Sequence, residues 1–326
     1  MKVLLLGATG LLGHNVLRCL MANGHTVNVL VRSADGIKMP GDGWKTFVGS
    51  PLDYATLRQA AEGCEAVINC AGVTDMSLLH MEDYLPANRD LPQLIVRVME
   101  DVGIRYMVHT STANTIGYGR EGSPATEKEP MEAPFTDSYY AESKRLGEEV
   151  VLEASHAHEG WHVVVINPGY MLGAYDVKPS SGRMLLAGYK KPVMAAPRGG
   201  KAFVAVQDVA SAVVGALTKG GNGERYILTN SRGCHSIREL YEMQAKVMGY
   251  RQRVLLLPNW LLAVAGRVGD IVRSMGVRTE LSTRNVRQLM VREYYDNSHG
   301  LCDLCYKETS VEEAIGQFYS WRKTLT

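Results

Sequence analysis

The sequence lacks a charge imbalance: 35 Lys and Arg stand against 34 Asp and Glu, a formal charge of +1. That balance removes the whole-chain reason to expect a nucleic-acid or membrane partner. It also lacks an apolar run long enough to span a bilayer. The stretch VLLLPNWLLAVAG is too short and is broken by Pro258; it reads as a strand end or loop followed by a helix with a broad apolar face, with a substrate lid or subunit contact as the alternative. A second cysteine pair is missing beside LCDLC. Cys302 and Cys305 give one CxxC spacing, with His299 as the only further local ligand, so no metal site is expected. Cys19, Cys64 and Cys70 fall in apolar segments that suit small core residues, and the overall usage fits a reducing cytoplasm rather than a disulfide framework. There is no internal repeat and no long low-complexity segment, which excludes an array or a disordered tail.

What is present is ordinary globular material: 326 residues, 46% hydrophobic and 21% charged, enough for one large domain or two unequal ones. The opening MKVLLLGATG has the charged, apolar start of a signal peptide but runs into a glycine loop instead of a small-residue cleavage site. Lys2 to Leu6 therefore reads as a buried strand. A helix is expected over Leu11 to Ala22, a strand over Thr26 to Val31, and a helix over Asp53 to Ala61. EAVINCAG, YMVHTSTAN and HVVVINPG supply further strands, and Asn88 to Glu100 has helical spacing. Apolar strands alternating with helices predict an α/β fold, a Rossmann-like doubly wound parallel sheet, with ligands beyond the carboxyl ends of its strands.

After Pro168 the pattern loosens into Gly-, Pro- and Lys-rich sequence. Gln207 to Leu217 reads as a helix, ERYILTN as a strand, and Ser236 with Glu239 as a capping box opening a helix to Met248. The expected division is a dinucleotide-binding Rossmann domain over 1–170 and a smaller, mainly substrate-binding lobe over 171–326. Segments around 203–230 return to the first domain.

Gly7, Gly10 and Gly13 form GxxGxxG directly after the first strand and before a helix. Glycine permits the tight turn and close backbone approach that hold a pyrophosphate at a helix start, with Thr9, Leu11 and Leu12 completing the loop. The second strand ends at Val31-Arg32-Ser33 without an acidic residue at its immediate end, and Asp35 lies beyond. A guanidinium pairs with the extra phosphate of NADP, so Arg32 and Ser33 predict NADP(H) over the alternative, NAD(H).

The stretch TDSYYAESKRLGEEV carries two adjacent tyrosines. Tyr139 lies four residues before Ser143 and Tyr140 four before Lys144, each pair on one helix face. A cation beside a phenol lowers the cost of its anion, which suits Tyr140 with Lys144 to proton transfer.

Together, GATGLLG, NCAG, Asn88 in PANRD, HTSTAN, YYAESK, NPGYMLG and FVAVQDVA resemble the extended short-chain dehydrogenase/reductase family, in particular its dihydroflavonol-reductase-like and nucleotide-sugar-epimerase-like members. The resemblance covers nearly the whole chain. It implies that Tyr140, not Tyr139, is the proton donor or acceptor, that Lys144 holds the nicotinamide ribose, and that Thr112, with Ser111 as the nearby alternative, hydrogen-bonds the reacting oxygen. It further implies cofactor contacts from Ala71, Gly72, Asn88, Pro168 and Gly169, and a homodimer. Gly49-Ser50-Pro51 departs from the family's usual Gly-Asp-Leu/Ile, which leaves the adenine contact there unassigned. Asp208 suits a helix-start or packing role. In the substrate lobe, Lys178 and Arg183 could receive an anionic group, and Thr74, Met76 and Tyr175 could shape a pocket.

The leading expectation is an NADP-dependent, cytoplasmic oxidoreductase that reduces a small-molecule carbonyl or oxidises the matching alcohol. Two alternatives stay open: a nucleotide-sugar epimerase or dehydratase holding its dinucleotide tightly, and a non-catalytic dinucleotide-binding regulatory protein. The same Thr/Tyr/Lys set serves the first two.

Overall fold

The computed structural model describes residues 1–33 and 43–325; Asp35 lies outside them. In chain order the elements are β1 (Lys2–Leu6), α1 (Leu11–Ala22), β2 (Thr26–Val31), β3 (Trp44–Val48), α2 (Tyr54–Ala61), β4 (Ala66–Asn69), α3 (Leu91–Val102), β5 (Tyr106–Thr110), α4 (Tyr139–Ala157) and β6 (His162–Pro168). There follow β7 (Tyr170–Leu172), α5 (Gly182–Gly188), β8 (Val193–Ala196), β9 (Gly200–Ala205), α6 (Val206–Gly215), β10 (Glu224–Leu228), β11 (Cys234–Ser236) and α7 (Ile237–Met248). The chain closes with β12 (Arg253–Leu256), α8 (Asn259–Ser274), α9 (Thr283–Gln288), α10 (Ser298–Leu304) and α11 (Val311–Arg322).

Seven strands form one sheet in the order β10-β6-β5-β4-β1-β2-β3, and every neighbouring pair in it is parallel. Parallel strands covered on both faces need apolar side chains on both, and β1, β4 and β6 are almost wholly buried. One face carries α1 and α6, with Leu12, Val16 and Val209 in a common core; the other carries α2, α3 and α4, with Leu57, Ile95 and Val151. Strand order reverses between β1 and β4, and the space beyond the carboxyl ends at such a reversal is where a doubly wound sheet takes its ligand. β10 pairs with β6, and α6 packs in the same core as α1, so the segment around 203–230 does contribute to the large sheet.

The remaining elements build a smaller lobe. β9 pairs with β7 and β11, β8 pairs with β12, and α5, α7 and α11 enclose a separate core around Leu240, Ile315 and Phe318. The predicted capping box is present: Ser236 Oγ accepts from Glu239 N at 3.1 Å, and the Glu239 carboxylate accepts from Ser236 N at 2.6 Å. Asp208 accepts from Thr309 N and Oγ1 at 2.6 and 2.9 Å, which ties α6 to the start of α11 and gives it the packing role. Among the described residues no helix is long and apolar enough to cross a membrane.

Candidate active site

Only glycine fits the turn after β1. Gly7 has φ +82°, and a Cβ on it would lie 2.5 Å from Cys70 C and 2.6 Å from Ala71 N, at the end of β4. A Cβ on Gly13 would stand 2.1 Å from the Gly7 carbonyl oxygen, so the first turn of α1 sits directly on the loop. Gly10 caps α1 without a side chain, and the first turn holds no acidic residue. The opening N–H groups of α1, from Leu11, Leu12 and Gly13, thus face the crevice uncapped, and the positive end of the helix is left for an anion. Both features suit a dinucleotide pyrophosphate.

The opposite wall is laced by Asn88, which is fully buried. It lies in a single π-helical turn, Pro86–Asp90, that runs into α3. Its Oδ1 accepts from Val73 N at 2.8 Å, while Nδ2 donates to Val73 O at 3.0 Å and to Ser143 Oγ at 2.8 Å. This fixes the loop after β4 against α4. α4 and the Asn88 turn approach so closely that a Cβ on Gly147 would lie 2.0 Å from Asn88 O. At Gly72 a Cβ would fall 3.0 Å from Asn88 Oδ1 and 3.5 Å from Lys144 Nζ.

α4 begins at the N-cap Ser138 and presents Tyr140, Lys144 and Glu148 along one face. Burial pushes the Tyr140 phenol above its ordinary value of 10.0; the Thr112 hydroxyl facing it opposes that shift and the Glu148 carboxylate adds to it. Lys144 is buried and donates from Nζ to Thr110 O at 2.6 Å. Burial brings its ammonium down from 10.5 to about 8, against the pull of Glu148. The expected lowering of the phenol by Lys144 is not what these residues produce on their own, because the ammonium is engaged by the Thr110 carbonyl and desolvation acts on Tyr140 more strongly. Ser111, the alternative to Thr112, has a buried hydroxyl with no hydrogen-bond partner among the described residues.

Beneath this face lies a buried network with no counterpart in the sequence reading. Glu148 Oε1 accepts from Thr115 Oγ1 at 2.6 Å and from Asn167 Nδ2 at 2.6 Å. Asn167 Nδ2 donates to Thr112 O at 3.1 Å, Thr115 Oγ1 lies 2.9 Å from the same oxygen, and Arg225 stands 3.5 Å from the other Glu148 oxygen. The network pins the backbone that carries the Thr112 hydroxyl. The signal available in the sequence was Glu148 one turn beyond Lys144 on the Tyr140 face.

Pro168 ends β6, and the Gly169 N–H donates to Leu228 O at 3.0 Å; a Cβ there would meet Ala202 O at 2.3 Å. The expected substrate residues fall into different surroundings, with Arg183 facing Asp75 between Thr74 and Met76. Thr74 and Lys178 are exposed. The Met76 carbonyl accepts from Asn285 Nδ2 at 2.9 Å, and Arg183 pairs with Glu280 at 2.6 Å. Tyr175 is occupied elsewhere, stacked on His14 at 4.9 Å with Arg18 over its ring at 4.4 Å. A residue the sequence did not single out, Arg284, lies over the Tyr139 ring at 3.5 Å. It joins Asp137, Arg273 and Arg287 in a cleft of about 340 Å³ beside the start of α4. Tyr139 thus packs under a cation while Ser143 turns to Asn88. Cys302 and Cys305 are exposed, and among the described residues no three metal-ligating side chains cluster.

The NAD dependent epimerase/dehydratase family matches residues 3–229. The chain belongs to that family. It is thereby an NAD(P)-binding enzyme of the oxidoreductase/epimerase type. Among curated relatives it is 27% identical to sterol demethylase protein B of Methylococcus capsulatus, over 98% of both chains. It is 25% identical to a putative dihydroflavonol 4-reductase of Synechocystis, over 97% of this chain and 92% of that one. Among solved structures it superposes on gox2253 with TM-score 0.82 at 24% identity, covering 99% and 98% of the two chains. It also superposes on the UDP-glucose-4-epimerase of Stenotrophomonas maltophila, which holds NAD and formylated UDP-arabinopyranose, with TM-score 0.79 at 18% identity over 100% and 98%. For the Bordetella bronchiseptica enzyme WbmH in complex with NAD+ the TM-score is 0.75 at 17% identity over 99% and 98%.

The expected preference for NADP(H) is corrected by the Stenotrophomonas and Bordetella enzymes, whose stated cofactor is NAD. The physical reason lies in the charge rule itself. Arg32 and Ser33 are both exposed at the end of β2, and a solvated guanidinium at that edge does not by itself require a phosphate partner.

Proposed function

We propose that this chain moves a hydride from and to a secondary carbinol carbon with NAD, and that Tyr140 handles the hydroxyl proton. The observation that carries this reading is the hydroxyl pair of Tyr140 and Thr112, set with Lys144 against the glycine-lined crevice between β1 and β4. NAD, held by the Gly7–Gly13 loop, Asn88, Gly72 and Lys144, supplies the hydride acceptor and donor. In oxidation the carbinol proton passes to the Tyr140 phenolate as the C–H pair leaves; in reduction the Tyr140 phenol, kept protonated by burial, returns it to the carbonyl oxygen. Thr112 orients that oxygen, and the Glu148–Asn167–Thr115 network holds Thr112.

The redox-neutral course on a nucleotide sugar displaces the NADP-linked carbonyl reduction expected from the sequence. It is supported by the sugar-nucleotide epimerases among the structural neighbours and by the cleft beside Tyr139, where Arg273, Arg284 and Arg287 outnumber the carboxylates of Asp137 and Asp270 and leave a net cationic lining for a diphosphate. A second reading, net NAD-linked dehydrogenation of a sterol-like alcohol, is supported by the near-full-length likeness to sterol demethylase protein B. Incubation with NAD+ and either a panel of UDP-sugars or 3-hydroxysterols separates the two. An altered sugar nucleotide without net NADH supports the first, and NADH formed in step with ketone supports the second. Conversion in neither panel would remove both substrate classes.

A further inference from the structure

α8 is turned inside out for a helix of a globular lobe. Its small residues face inward: a Cβ on Gly266 would stand 2.9 Å from Thr283 Cα, and one on Gly269 would stand 2.0 Å from Leu281 O. Its large apolar residues face outward. Trp260, Val264, Val268, Ile271 and Met275 recur every three or four residues, from 48% exposed at Val264 to 68% at Trp260. The preceding strand adds Leu255 and Leu256, also exposed. A helix packed only for internal stability would bury this stripe.

The charges around the stripe are mostly cationic, with Asp75 facing Arg278 and Glu280 just beyond it. Arg251, Arg253, Arg267 and Arg278 are exposed, and Arg267 lies three residues after Val264 and four before Ile271, on the stripe's edge. The only acid between 251 and 278 is Asp270, whose carboxylate accepts from Thr283 N at 3.0 Å. Arg273 is engaged by the carbonyls of Ser77, Leu78 and Thr279 and anchors the helix to the loop after β4. The whole chain is nearly neutral, but this face is apolar with a cationic rim.

We propose that α8 docks flat on an anionic lipid surface, its apolar stripe in the headgroup–acyl boundary and the four arginines on lipid phosphates. At 16 residues the helix spans about 24 Å, and an in-plane orientation satisfies both its stripe and its rim. This inference does not rest on the catalytic reading: the apolar stripe and the four arginines are separate from Tyr140 and from the residues that line the cleft beside Tyr139.

The test is co-sedimentation of the full chain with vesicles of equimolar phosphatidylglycerol and phosphatidylcholine, against phosphatidylcholine alone. Binding to the anionic vesicles is expected, falling by about tenfold or more with neutral lipid, at raised salt, or on combining Val268→Asp with Ile271→Asp. Arg267→Glu with Arg278→Glu should also weaken it. Melting temperature and NAD affinity report that the variants remain folded. Absence of binding by the native chain, or equal binding by the Val268/Ile271 variant, overturns the proposal. So does a native dimer in sedimentation velocity that the same variant dissociates, because a second copy would then cover the stripe.

Discussion

At the residue scale the two tyrosines of YYAESK carry unequal burdens. Tyr140 meets the Thr112 hydroxyl, whereas Tyr139 lies under Arg284. Tyr140→Phe should lower turnover by about 10²–10⁴-fold with an unchanged melting temperature, and Tyr139→Phe should act chiefly through substrate affinity; steady-state kinetics of the two variants checks this. Lys144 gives a pH prediction with a definite sign. In the fold it loses its proton near 8, while the unfolded chain holds it to 10.5, so between those values the unfolded state binds more protons. The cost of burying the ammonium is therefore present below 8 and fades as pH rises through this window, and the lysine's contribution to stability rises with it. Denaturant melts across the window should show that rise in the native chain and a flatter curve for Lys144→Met.

At the element scale the glycine loop and the network under α4 decide whether the site forms. Gly13→Ala places a methyl against the Gly7 carbonyl and should cost about 1–3 kcal/mol of stability, with loss of measurable NAD binding by calorimetry. Asn167→Leu strands Glu148 and Thr115 and should cost a further ~1–3 kcal/mol in chemical denaturation. The first of these elements was legible in the sequence because β1, Gly7, Gly13 and α1 are contiguous and their periodicity is strong. The second was not: Glu148, Thr115 and Asn167 are brought together from three elements by the parallel pairing of β5 and β6. β3 escaped notice for a different reason. As the edge strand its residues are half-exposed or exposed, so WKTFV has no buried apolar run to announce it. α8 was legible as an apolar helix, but which face it buries is decided by Gly266 and Gly269 against the segment at 281–283, a contact that spacing alone does not contain.

At the scale of the whole molecule, the parallel order β3-β2-β1-β4-β5-β6-β10 brings the loops after β1, β4, β5 and β6 to one end of the sheet. The candidate cofactor residues were legible there because Gly7, Ala71, Thr112 and Pro168 all lie at or just after strand ends. The substrate was not, because the arginines proposed to receive it, Arg273, Arg284 and Arg287, come from α8 and α9, more than a hundred residues from Tyr139 in sequence. Cofactor preference failed at the same scale: one exposed arginine at the edge of a sheet does not fix the anion it faces.

The most direct measurement is the fate of deuterium placed on the carbinol carbon of a converted substrate. Hydride transfer by the Tyr140 site predicts that the label appears on the nicotinamide of NADH, or returns to the same carbon with inverted configuration, and that Tyr140→Phe slows either outcome by about 10²-fold or more. Deuterium washed out to solvent, or transfer at an undiminished rate in Tyr140→Phe, would contradict it.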